Sequence, residues 1–142
     1  MSLPQIKHCV ICEDVRLEQR NLASLMGVYG ITPYVRIRIR DFALHVSFCS
    51  VFYGLPFQGK VDIQLELRAP DGTPVEVSTF PKQNELTFSD KSPVSFSLKV
   101  NALFPVPNTY TLALLGNGVE FFRDTLEITQ AKAIDFFQAP KP

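Results

Sequence analysis

A chain of 142 residues, with fourteen Lys plus Arg against fourteen Asp plus Glu, has the length of one domain. A domain of that size buries roughly two-thirds of its unfolded surface, so its core needs neither a disulfide nor a metal. The zero net charge excludes a broad field that would draw the protein to nucleic acid or to an anionic membrane.

The chain opens with its densest apolar run, which passes directly into alternating charge. Read as a strand, this segment puts Cys9, Ile11, Glu13, Val15 and Leu17 on one side and His8, Val10, Cys12, Asp14, Arg16 and Glu18 on the other. Both faces are apolar at first. From Asp14 onward one face is charged and the other stays apolar through Val15 and Leu17, so the strand is expected to leave the core near Glu13. Gln19-Arg20-Asn21 supplies a turn, and a second β-like run over residues 22–29, closed by Gly30, completes a hairpin. A helix over residues 13–26 competes, because Leu22, Leu25 and Met26 fit helical spacing among good helix formers.

The strings Glu13-Asp14-Val15-Arg16-Leu17-Glu18 and Leu25-Met26-Gly27-Val28-Tyr29 resemble the opening of a family of small uncharacterised bacterial proteins that read roughly "EDVRxE … LxGVY". The resemblance covers about the first thirty residues. It implies a bacterial, single-domain protein of β character, and it brings no activity and no functional residues with it.

After Ile31-Thr32-Pro33 the segment from Tyr34 through Val35, Ile37 and Ile39 alternates with Arg36, Arg38 and Arg40, one face for the core and one for solvent. Residues 42–57 are apolar at nearly every position, ending at Gly54 and Pro56, as in a strand covered on both sides. Val61, Ile63, Leu65 and Leu67 alternate with Asp62, Gln64, Glu66 and Arg68, and Pro70-Asp71-Gly72 turns the chain. Shorter strands are expected near residues 75–80 and 85–88. Val94, Phe96, Leu98 and Val100 then resume period two. Pro105-Val106-Pro107 makes a corner, and residues 110–115 and 119–129 flank a Gly116-Asn117-Gly118 turn as a final hairpin.

This last third resembles the closing hairpin of immunoglobulin-like sandwiches, where a tyrosine at the start of the penultimate strand ties its hydroxyl to backbone at the corner. Tyr110 occupies that place, while the paired cysteines and core tryptophan of antibody domains are absent. The expected fold is all-β: an antiparallel two-sheet sandwich of immunoglobulin-like architecture with about seven to nine short strands. Residues 1–130 form the single domain, and residues 131–142, with Ile134, Phe136 and Phe137, are a tail that docks or frays.

Candidate chemistry is sparse. Cys9 and Cys12 have CxxC spacing beside His8, yet on a strand the two thiols point to opposite faces. His45 and Cys49 share a face but lie about 13 Å apart along it. A cysteine nucleophile with His8 or His45 as base is conceivable, and no spacing selects such a set. Arg36, Arg38 and Arg40 recur at about 7 Å, near the spacing of phosphates, but read first as a solvated face paired with acids across the sheet. Gly116-Asn117-Gly118 precedes no helix and is no phosphate loop.

The expectation is therefore a protein-binding or structural module without cofactor, metal or catalytic residue. The alternatives are a small enzyme with a Cys-His or carboxylate site between the sheets, and a weak nucleic-acid or phosphate binder through Arg36, Arg38 and Arg40. Asp14, Arg16, Glu18, Phe52, Tyr53 and Phe57 are the candidate interaction residues. Residues 46–57, helped by Phe136 and Phe137, are expected to mediate self-association or partner binding, because a two-layer sandwich covers only one face of each strand. No apolar run approaches the ~20 residues that span a bilayer, and no charged-then-apolar leader opens the sequence. With three cysteines placed in apolar runs, this leads to the expectation of a reduced, cytoplasmic protein.

Overall fold

Alternating side chains need a covered face, and the chain supplies it by stacking two sheets. The computed structural model describes residues 2–19, 22–42, 44–80 and 85–131, which contain ten strands and no α-helix. These are β1 (Ile6–Leu17), β2 (Ala23–Ile31), β3 (Arg36–Ile39), β4 (Val46–Gly54), β5 (Gly59–Arg68), β6 (Glu76–Phe80), β7 (Glu85–Phe88), β8 (Val94–Leu103), β9 (Asn108–Gly116) and β10 (Val119–Gln130). One five-stranded sheet runs β2-β1-β4-β8-β6 and the other β3-β10-β9-β5-β7. The four-residue strands β3 and β7 carry the number past the expected range. Pairing is antiparallel except between β3 and β10, which run parallel. After β2 the chain crosses to the opposite sheet and enters it at its edge as β3.

Phe48, Phe52, Leu98 and Val100 from the first sheet meet Leu65, Leu67, Leu112, Leu114, Leu126 and Ile128 from the second. Burying each of the larger side chains contributes roughly 1.5–3 kcal/mol relative to exposure. Phe52 lies at the centre, stacked on Phe96 with centroids 5.0 Å apart and edge-on to Phe122 at 5.9 Å. Ser50 is fully buried on the same face of β4, and its hydroxyl donates to the Leu98 carbonyl at 3.2 Å, so its polar group is satisfied.

The local signals act as their chemistry requires. Tyr110 is fully buried, packs on Phe104, and donates its hydroxyl to the Val106 carbonyl at 2.6 Å, which closes the proline corner. Asn117 and Gly118 both hold positive φ, 50° and 83°, in the two-residue turn between β9 and β10. Such a turn matches the twist of the hairpin and favours Asn-Gly. The Asn117 side chain also accepts a bond from the Asp62 backbone at 3.0 Å and so pins the turn to β5.

The N-terminal segment is the hairpin and not the helix. Its ladder runs from Val10 opposite Ile31 to Leu17 opposite Ala23, with a bulge between Ile11 and Cys12. Burial stops at Cys12 and Glu13 is exposed, as the charge pattern requires. Leu17 departs from expectation: it is 84% exposed. The reason is length, since β1 outruns β4, their ladder ending at Cys12 opposite Cys49. The tail with Ile134, Phe136 and Phe137 lies outside the described residues, as do Arg20 and Asn21 of the turn.

Candidate interaction surface

One half of the outer face of the first sheet is built by three adjacent strands, β2, β1 and β4. Register sets Ile31, Val10 and Val51 in one row and Val28, Cys12, Cys49 and Lys99 in the next. Directly opposed residues share a face. Val10, Cys12, Cys49 and Val51 form a small buried apolar cluster separate from the main core, with Val15 and Leu25 packed against it. Around this cluster Met26, Val28 and Ile31 are 43%, 53% and 49% exposed, and Tyr53 is exposed on β4.

Strand β2 is the edge of this sheet, bonded to β1 on one side. Its nine residues, ASLMGVYGI, contain no charge and no proline. Lysine, proline and extreme shortness, which keep an edge from pairing, are absent from β2; the device it does carry is the bulge that leaves Tyr29 unmatched between Gly30 and Val28. Its shape is held from the β1 side. Gly27 has φ of 64°, and a Cβ there would meet the Glu13 side chain at 2.9 Å. The Tyr29 hydroxyl donates to Glu13, and partial burial, followed by that carboxylate, raises the phenol above its ordinary value. Glu13, Gly27 and Tyr29, three positions of the N-terminal string pattern, thus meet as one packing unit that shapes the edge strand.

The structure divides the expected interaction residues. Asp14, Arg16 and Glu18 are exposed where β1 projects past β4, beside β2. Tyr53 shares the outer face with Val51. Phe52 is a correction: it is fully buried in the core and presents no surface. Phe57 is partly buried and packs against the core with its ring on Phe88, 6.2 Å away, so it too serves the interior. The surplus of apolar groups on β4 is absorbed by a central position between β1 and β8 and by the outer cluster.

Arg36, Arg38 and Arg40 are exposed along β3. Arg36 stands opposite Glu127 on β10 and bonds to it at 3.2 Å, the cross-strand pairing expected of a solvated face. The Arg40 carbonyl accepts a bond from Gln130 at 2.8 Å. Neither histidine is brought to a thiol in a way that suits nucleophilic chemistry. His8 is exposed while Cys9 faces the core, where burial, then Asp124 and Cys12, push its thiol far up. His45 lies 3.9 Å from Glu76 at the surface. Among the described residues no group of three or more His, Cys, Asp or Glu is placed to hold a metal. A hollow of about 580 Å³ between β5 and β6 is lined by Asp62, Glu66 and Arg68 with Val75, Val77 and Thr79, and it contains neither histidine nor cysteine. Its Arg68 is already bonded to Glu66 and Glu120.

The residues that sequence reasoning missed are Val28, Met26 and Ile31. Their signal was present, an uncharged run in a strand, but only the strand order makes that run an edge. No family model matches this chain, and no curated protein matches it. Among solved structures it is similar to the crystal structure of the Lin-41 filamin domain, with 20% identity over 66% of this chain and 81% of that one and a TM-score of 0.40.

Proposed function

We propose that the protein is a non-enzymatic protein-binding module that takes an extended segment of a partner chain against β2. The observation that carries this reading is the edge itself: nine uncharged residues with one side unpartnered by any described strand and with Met26, Val28 and Ile31 exposed along it. Strand addition supplies main-chain hydrogen bonds for affinity, and side chains at alternate positions supply selectivity. The partner segment that fits is apolar at alternate positions, to lie beside Met26, Val28 and Ile31. It carries charge at one end, to meet Asp14, Arg16 and Glu18. A reducing, cytoplasmic setting suits three unbridged cysteines.

A photo-cross-linking amino acid at Met26, compared with one at Thr111 on the opposite sheet, tests the reading in cells that make the protein. The expected result is a discrete partner cross-linked from position 26 alone, through one extended segment, and lost with Val28→Lys. Identical products from both positions would overturn it, and a cross-link joining two copies would reassign the edge to self-association.

A further inference from the structure

Spacing along the chain separates the three thiols, but strand register brings two of them together. Cys12 on β1 stands directly opposite Cys49 on β4, at the last rung of their ladder. Opposed residues of antiparallel strands have Cα atoms about 4.5 or 5.5 Å apart, depending on the rung. A disulfide accepts roughly 4.4–6.8 Å. Both side chains sit in the outer cluster with Val10 and Val51, whereas Cys9 belongs to the main core. All three are unbridged.

We propose that Cys12 and Cys49 form a modification site, a cross-strand dithiol that a peroxide oxidises to a disulfide and an external thiol reduces again. The effect is to staple β1 to β4 at the point where β1 leaves the sandwich. One sulfur, as thiolate, attacks a peroxide oxygen; the O–O bond breaks, a sulfenic acid forms, and the departing hydroxide takes up the thiol's proton as water. The second sulfur then displaces the sulfenic hydroxyl, the S–S bond forms, and a second water leaves with the remaining proton. Two thiols and one hydrogen peroxide thus become one disulfide and two waters.

The closed structure covers both groups, Cys12 at 0% and Cys49 at 5% exposure. Access needs little opening, because beyond this rung β1 is paired with β2 alone, and ladder ends open at low cost. Burial and then Asp14 raise the Cys49 thiol, but Lys99 on β8 and the Val15 backbone N–H favour its thiolate. Cys12 is raised by burial and then by Cys49, with the Asp14 backbone acting in the opposite sense, and its thiol donates to the Asp14 carbonyl at 3.4 Å. Tyr29 on β2 also feels Cys12. The inference rests on register and is independent of the reading of β2.

Reduced full-length protein is treated with hydrogen peroxide under native conditions, unfolded, alkylated, digested and analysed by mass spectrometry. The expected product joins the peptide of Cys12 to that of Cys49, persists in Cys9→Ala, disappears in Cys12→Ala, and is reversed by dithiothreitol. In Cys49→Ser the link is likewise lost. Its rate of formation rises by about tenfold per pH unit from neutral upward, following the thiolate fraction. Full alkylation of both cysteines after peroxide, a link that forms only after prior unfolding in urea, or a link that needs Cys9 would each overturn the proposal.

Discussion

The two sheets share one core, and their outer faces are finished differently. On the second sheet Glu66 and Arg68 of β5 reach across β9 to Glu120 and Arg123 of β10. The strand between them presents Ala113, fully buried, and so leaves room for the long side chains above. Arg36 and Glu127 continue the pattern at the edge. On the first sheet the corresponding strands carry valines and thiols, and the edge adds Met26, Val28 and Ile31 in place of charge. Exposed ion pairs contribute little energy each. The two outer faces thus differ in surface chemistry with little consequence for stability from the ion pairs themselves.

Equivalent substitutions on the two faces test that difference. The largest effect is expected from Val10→Asp, which sets a carboxylate at a position 8% exposed within the outer cluster. An unpaired charge there costs about 3 kcal/mol or more. Thr111→Asp, opposite Arg68 on the second sheet, is expected to stay within about 1 kcal/mol of the parent. Denaturant titration measures both, and equal losses would erase the distinction. Next comes Gly27→Ala: φ of 64° disfavours any side chain and Glu13 occupies the space, so a loss of about 1–3 kcal/mol is expected. Glu13→Ala in the same background recovers the part due to crowding but not the part due to φ.

The pH response comes from the first sheet as well. Burial is the leading cause that raises Cys9, Cys12 and Cys49, so the folded state holds these protons more tightly than the unfolded chain. Stability from this source is complete below about pH 8.5, the ordinary thiol value, and falls as pH rises beyond it. Thermal melts in reducing buffer between pH 7 and pH 10 are expected to show that fall, and Cys9→Ala to flatten it. The smallest effects belong to surfaces in water. Glu120→Gln removes the carboxylate shared by Arg68 and Arg123, with a loss of at most about 1 kcal/mol that shrinks in high salt. Val28→Lys, 53% exposed, is expected to change stability by about 0.5 kcal/mol or less while weakening partner capture.

Much of this fold was legible in single residues. Alternation located the strands, Pro70-Asp71-Gly72 and Asn117-Gly118 located turns, and Tyr110 located the corner, because each signal depends on neighbours a few residues away. The site was less legible. Asp14, Arg16 and Glu18 are exposed as expected, because charge on a strand has to meet water. Phe52 was misassigned because an apolar run does not say which of its faces meets the opposite sheet, and β4 proved to be a central strand.

By itself, then, the sequence determined that this is a β protein, where its strands and corners fall, and that charge leaves the core at Glu13. Those properties follow from backbone period and short-range sterics. Only the tertiary structure decided that β2 is an edge, that β3 runs parallel to β10, and that Cys12 faces Cys49. Each of these depends on register between strands distant in the chain. Register is chosen by how two whole faces pack together, and no single strand carries that information.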